Sequence, residues 1–163
     1  MSEQLDRVIA RVVENVLSGR SENELSLITA RRLIAAVEKK ASEMGVNAVV
    51  AVAGAGGNPI AVECMDNAFI ASYDIAVNKA YTAVALKMST KELAALAAPG
   101  GSLYGIQFTN HGRIVIFGGG QPLKSESGAI IGGLGVSGGT EEQDTALGDY
   151  GKKLFEQGGI PKD

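Results

Sequence analysis

Residues 46–66, VNAVVAVAGAGGNPIAVECMD, decide how this chain folds. Two short apolar runs, Val46–Ala53 and Ile60–Met65, flank Ala55-Gly56-Gly57-Asn58. Each run is too short for a helix, the first is rich in valine, and the glycines between them supply the backbone freedom of a tight reversal. A parallel crossover needs about a dozen residues or more, so the two strands must be antiparallel.

Working outward, the flanks turn helical. Upstream, Leu33, Ile34, Val37 and Ala41 recur at helical spacing from about Thr29 to Met44, and Gly45 ends the run. Ser21–Glu24 also fits a capping box, which allows an earlier start. Downstream, Asp66 or Asn67 is placed to cap a long helix running to about Lys87. Ser89-Thr90-Lys91-Glu92 is a capping box opening TKELAALA, which Pro99-Gly100-Gly101 closes. Thr140–Gln143 is another and opens a last helix to about Gln157.

Between these helices the second half returns to strands. Tyr104–Asn110 and Arg113–Phe117 around His111-Gly112 predict a second hairpin, and Ala129–Ser137 a further strand. Glycine at alternate points of that strand suits close approach by a helix or another subunit. Hairpins outnumber strand–helix alternation, so the expected class is α+β, a central antiparallel sheet of about five strands flanked by helices.

Composition bounds the function. The chain has 163 residues, one domain's worth, with 45% hydrophobic residues and no Trp. A net charge of −3 offers no basic face for nucleic acid, and no apolar run approaches the ~20 residues that span a bilayer. The single cysteine, Cys64, forms no internal disulfide, and no secretory leader is legible, which fits a reducing cytoplasm. Cys64 reads as a small core residue, with no basic neighbour to activate it.

Three glycine motifs point to chemistry and fail on context. Gly133–Gly138 matches G-x-G-x-x-G, but only one helix fits before the chain ends, so the second parallel strand of a dinucleotide fold is missing. Gly135–Gly139 matches G-x-S-x-G, but the sole histidine, His111, precedes the serine. Gly118–Ser125, GGGQPLKS, has Leu123 where a phosphate loop needs glycine before its lysine. Taken together, the loops at 99–105, 118–122 and 135–140 are expected to line one pocket with backbone N–H groups. Asp66, Lys79, Asn110, His111, Arg113, Gly118, Gly119 and Gly120 are the candidate contacts. Lys79, held by Asp66 or Asp74, and Arg113 would meet anionic groups, and His111 is the one strong nitrogen ligand for a metal. One Cys and one His exclude a structural zinc site.

Read in order, VVAVAGAGGNPIAVECMDNA, SYDIAVNKAYTAVAL, PGGSLYGIQFTNHGRIVIFGGG followed by Pro122, and GAIIGGLGVSGGTEEQD closely resemble the GlcG/HbpS-like family, which includes the C-terminal domain of PduO. The likeness runs from about Thr29 to Phe155. It implies a profilin-like fold, homo-oligomers, and a haem or corrinoid ligand, with haem degradation in some members. Members with defined haem ligation place a histidine in the helix corresponding to 29–44, where this chain has none. The adenosyltransferase half of PduO is missing, so adenosyl transfer does not carry over.

The domain proper therefore spans 29–163, preceded by a linker at 21–28 and an amphipathic helix within 1–20. In that helix Leu5, Val8, Ile9, Val12, Val13 and Val16 share one face. It resembles an encapsulation peptide and suits docking on a microcompartment shell protein, which would place the chain in the lumen; packing on its own domain or at an oligomer interface is the alternative. Three functions follow: a ligand-binding oligomeric accessory protein, a non-catalytic scaffold of a microcompartment, and an enzyme acting on haem or on a small hydroxy acid or aldehyde.

Overall fold

The computed structural model describes residues 2–18 and 24–161. Helix α1 (Ser2–Ser18) is followed by α2 (Leu27–Glu43), the hairpin β1 (Val49–Gly54) and β2 (Pro59–Cys64), and helices α3 (Ile70–Leu86) and α4 (Thr90–Ala97). Strands β3 (Gly120–Lys124) and β4 (Ile130–Ser137) and helix α5 (Glu141–Glu156) complete the chain. No described helix is long and apolar enough to cross a membrane.

The strands form one antiparallel sheet in the order β2-β1-β4-β3. Strand β1 is central and buried on both faces. Val49, Ala51 and Ala53 turn towards Ala76 and Ala80 of α3, while Val50 and Val52 join Leu33, Ile34 and Val37 of α2 and Leu147 of α5. The alternation explains why this strand is apolar throughout. On β4, Leu134 and Val136 point to the α2–α5 core, and Gly133 and Gly135 lie under α3. A Cβ on Gly135 would meet the Ala76 carbonyl oxygen and the Ala80 amide nitrogen, so α3 rests directly on the strand backbone.

The hairpin at 46–66 forms as expected, with Gly54 N donating to Asn58 O at 3.0 Å across the turn. Both capping boxes, Ser89 with Glu92 and Thr140 with Gln143, are complete. Helix α2 is capped by the Ser26 side chain, and Ser21–Asn23 fall outside the described residues. Neither Asp66 nor Asn67 caps α3: its N-cap is Phe69, without a side-chain bond.

The sheet has four strands, not about five. The expected hairpin at 104–117 is replaced by two 3-10 turns, Ile106–Phe108 and Asn110–Gly112. Gly105, Asn110, His111 and Gly112 all take positive φ, which breaks an extended run despite its apolar alternation. The missing strand lies further on: GQPLK, expected as a loop, is β3. Proline is tolerated there because β3 is at the sheet edge. Cys64 is exposed rather than core, being the last residue of the other edge strand.

Candidate functional site

The predicted contacts divide into two groups. Lys79 and the glycine triplet 118–120 are interior. Helix α3 carries Lys79 inward, where Nζ donates to Asp144 Oδ2 and to Val136 O, each at 2.8 Å. Its partner is thus Asp144 of α5, not Asp66 or Asp74. Asp144 Oδ1 accepts from Gly139 N at 2.9 Å, and the Phe117 ring lies 4.8 Å from the ammonium. Burial pulls the Lys79 ammonium below the usual lysine range, and the carboxylates of Asp144 and Glu141 draw it back up.

The triplet threads between three helices. Gly118 N donates to Glu141 Oε1 at 2.9 Å, and Gly120 N to Thr90 Oγ1 at 2.8 Å. Gly119, at φ +114°, leaves room for Lys79 Nζ, which lies 2.7 Å from where a Cβ would stand. Two of the three amides expected to greet a ligand are therefore engaged inside the fold.

The second group is on the surface. Asn110 and His111 stand on the second 3-10 turn with φ of 51° and 57°, and Gly112 follows at 74°. Three consecutive left-handed residues, two of them not glycine, concentrate strain of the kind found at ligand clamps. His111 is exposed at the tip, with exposed Tyr104 and Phe108 in the same loop. Arg113, half-buried, lays its guanidinium over the Tyr81 ring at 3.6 Å from the centroid. Tyr81 OH donates to Asn110 Oδ1 at 3.2 Å, and Arg113 Nε donates to Asn78 Oδ1 at 3.4 Å. Thr82 Oγ1 accepts from Val115 N at 3.0 Å and so fixes the chain beyond the arginine. Among the described residues no carboxylate forms an ion pair with Arg113. Asp66 is exposed in the turn before α3 and bonds to neither group.

Sequence reasoning missed Asn78 and Tyr81. Both sit on α3 near Lys79, on turns of the helix facing the 104–113 loop, and only the fold shows what they face. His111 is the sole imidazole, and no cluster of three or more metal-ligating side chains occurs among the described residues. A separate cleft of about 450 Å³ opens between α4, β3 and α5. Its Lys91, Lys152 and Lys153 are matched by Glu92, Asp149 and Glu156, so it has no net charge with which to select an anion.

Residues 25–152 match the family described as haem degrading protein HbpS-like. The chain belongs to the HbpS-like family. Among its relatives is an uncharacterised 15.0 kDa protein of Citrobacter freundii from the dhaT-dhaS intergenic region, 47% identical over 82% of this chain and 93% of that protein. The corrinoid adenosyltransferase PduO of Citrobacter freundii is 38% identical over 77% of this chain, which spans only 37% of that enzyme. Among solved structures, the PduOC:haem complex superposes with a TM-score of 0.76 at 37% identity, covering 80% of this chain and 94% of the other. The HbpS-like core thus includes α2 to most of α5, with α1 outside it.

Proposed function

We propose that this chain is an oligomeric accessory protein that binds a small ligand of the haem or corrinoid class at its 104–113 loop. The observation that carries the reading is Arg113, a guanidinium held flat on Tyr81 with no carboxylate to neutralise it among the described residues. A planar macrocycle bearing carboxylates fits what surrounds it. The guanidinium would take a carboxylate, the exposed Tyr104 and Phe108 rings offer aromatic faces, and the His111 imidazole would reach a metal. The relative solved with haem, which aligns over most of this chain, supports the ligand class. A haem titration followed at the Soret band tests it. Wild type is expected to shift the band at micromolar haem and His111→Ala to alter it; no change in either protein removes haem.

A second reading rests on α1. Leu5, Val8, Ile9, Val12, Val13 and Val16 are 44–74% exposed, so the apolar face of this helix lies open on the isolated chain. Docking that face on a shell protein would carry the domain into a microcompartment lumen as cargo or scaffold. Fusing residues 1–20 to a fluorescent protein in cells that make shells tests this: puncta are expected, and diffuse signal sinks the targeting role.

A further inference from the structure

Tyr81 touches two separate parts of the fold, the β1–β2 turn and the 104–113 loop. A Cβ on Gly57 would stand 2.8 Å from its ring, so the β1–β2 turn lies close against it. Its hydroxyl holds Asn110, and its π-face carries the Arg113 guanidinium at 3.6 Å. Gly57 itself is at φ +78°, which suits glycine on backbone grounds as well as on space.

An arginine placed in this way differs from an ordinary surface arginine. Stacking fixes the guanidinium plane, and the Asn78 bond occupies Nε, which restricts rotation about the chain axis. The rotamer entropy that a flexible arginine loses on binding is thus largely spent before a ligand arrives. The groups shown against it are an amide and a phenol ring, Asn78 and Tyr81. They polarise the guanidinium without cancelling its charge. A flat fork with an open counter-ion position matches a planar carboxylate, which accepts two parallel N–H bonds.

We infer that Tyr81 is a positioning residue that preforms Arg113 as a receptor for a carboxylate, and that this carboxylate is the feature by which the loop selects its ligand. The inference rests on the ligand site proposed above, and deepens it by giving Tyr81 the positioning role and making the carboxylate the feature selected.

The test compares haem with haem dimethyl ester, which has the same macrocycle and iron but no free carboxylates, on the full chain. Wild type should bind the ester about tenfold or more weakly, the scale of a lost charge-assisted bond. Arg113→Gln and Tyr81→Leu should erase the difference between the two probes, whereas Tyr81→Phe, which keeps the ring, should preserve it. In parallel, the Arg113 Nε–H resonance is followed while benzoate is added to wild type, and a shift that Tyr81→Leu suppresses is expected. Equal binding of haem and ester overturns the carboxylate receptor and leaves the haem reading standing. No haem binding with a benzoate shift at Arg113 does the reverse. No response to either probe overturns both.

Discussion

Lys79 Nζ and Asp144 Oδ2 meet at 2.8 Å with 0% and 5% of their side chains exposed, joining the middle of α3 to the first turn of α5 across the end of β4. Removing one partner strands a charge in the interior, a loss of about 3–5 kcal/mol. Lys79→Met and Asp144→Leu should each lower the urea midpoint severely, while the double variant should recover much of the loss. Additive losses in the cycle would show that the pair contributes no coupling.

Gly119 and Gly56 make a matched pair. Gly119 combines φ +114° with Lys79 Nζ and the Val136 carbonyl oxygen at 2.7 Å from a Cβ position, while Gly56 has nothing within 4 Å. Gly119→Ala should cost about 3 kcal/mol from left-handed strain and overpacking. Gly56→Ala should stay within about 1 kcal/mol. Thermal unfolding of the two proteins side by side decides it, and equal melting temperatures would contradict the packing described around the triplet.

Glu38 on α2 supplies a pH signature. Burial, and then the neighbouring Glu63 carboxylate, raise its carboxyl above the ordinary glutamate range. In the window between the two values the folded state holds a proton that the unfolded chain has released. The stability from this group is therefore full below the ordinary value and lost as pH rises through the raised one. As pH rises above the ordinary glutamate range, wild type should lose stability relative to Glu38→Gln, and Glu63→Gln should reduce the slope. Parallel denaturation curves for wild type and Glu38→Gln above that range would refute the shift.

Much of this architecture is written locally. The Val46–Asp66 hairpin declares itself through two apolar runs and a glycine reversal, and the capping boxes at Ser89 and Thr140 mark helix starts by side-chain chemistry three residues apart. What stayed hidden is non-local. Pro122 and the glycines before it disguise β3, whose strand character comes from pairing with Gly133 and Gly135 on β4. The 104–117 segment imitates strands by alternation, while its left-handed residues turn it into consecutive 3-10 turns. The candidate residues Asn110, His111 and Arg113 were legible as a polar turn, but the Tyr81 stack and the Asp144 partner of Lys79 join positions far apart in the chain, and no local spacing encodes them.

Helix α1 makes its own prediction. With its apolar face exposed, Ile9→Ser and Val12→Ser should leave the unfolding of the remaining domain unchanged within about 0.5 kcal/mol. Under the targeting reading, the same substitutions should disperse the puncta expected of a wild-type α1 fusion. A fall of several degrees in melting temperature would instead show that α1 packs on its own domain.

Pro122 gives the sheet a direction. Its ring removes a ladder donor from β3, and α4 and α5 both pack on that strand. The opposite margin, β2, begins with Pro59, but alternate residues of its Ile60–Cys64 run turn their backbone N–H groups away from β1, and the strand ends exposed at Cys64. Any strand that lengthens this sheet, from another copy or from an aggregating neighbour, is steered to the β2 side. The molecule therefore has one covered border and one open edge, and crowding at high concentration should be felt first along Ile60–Cys64.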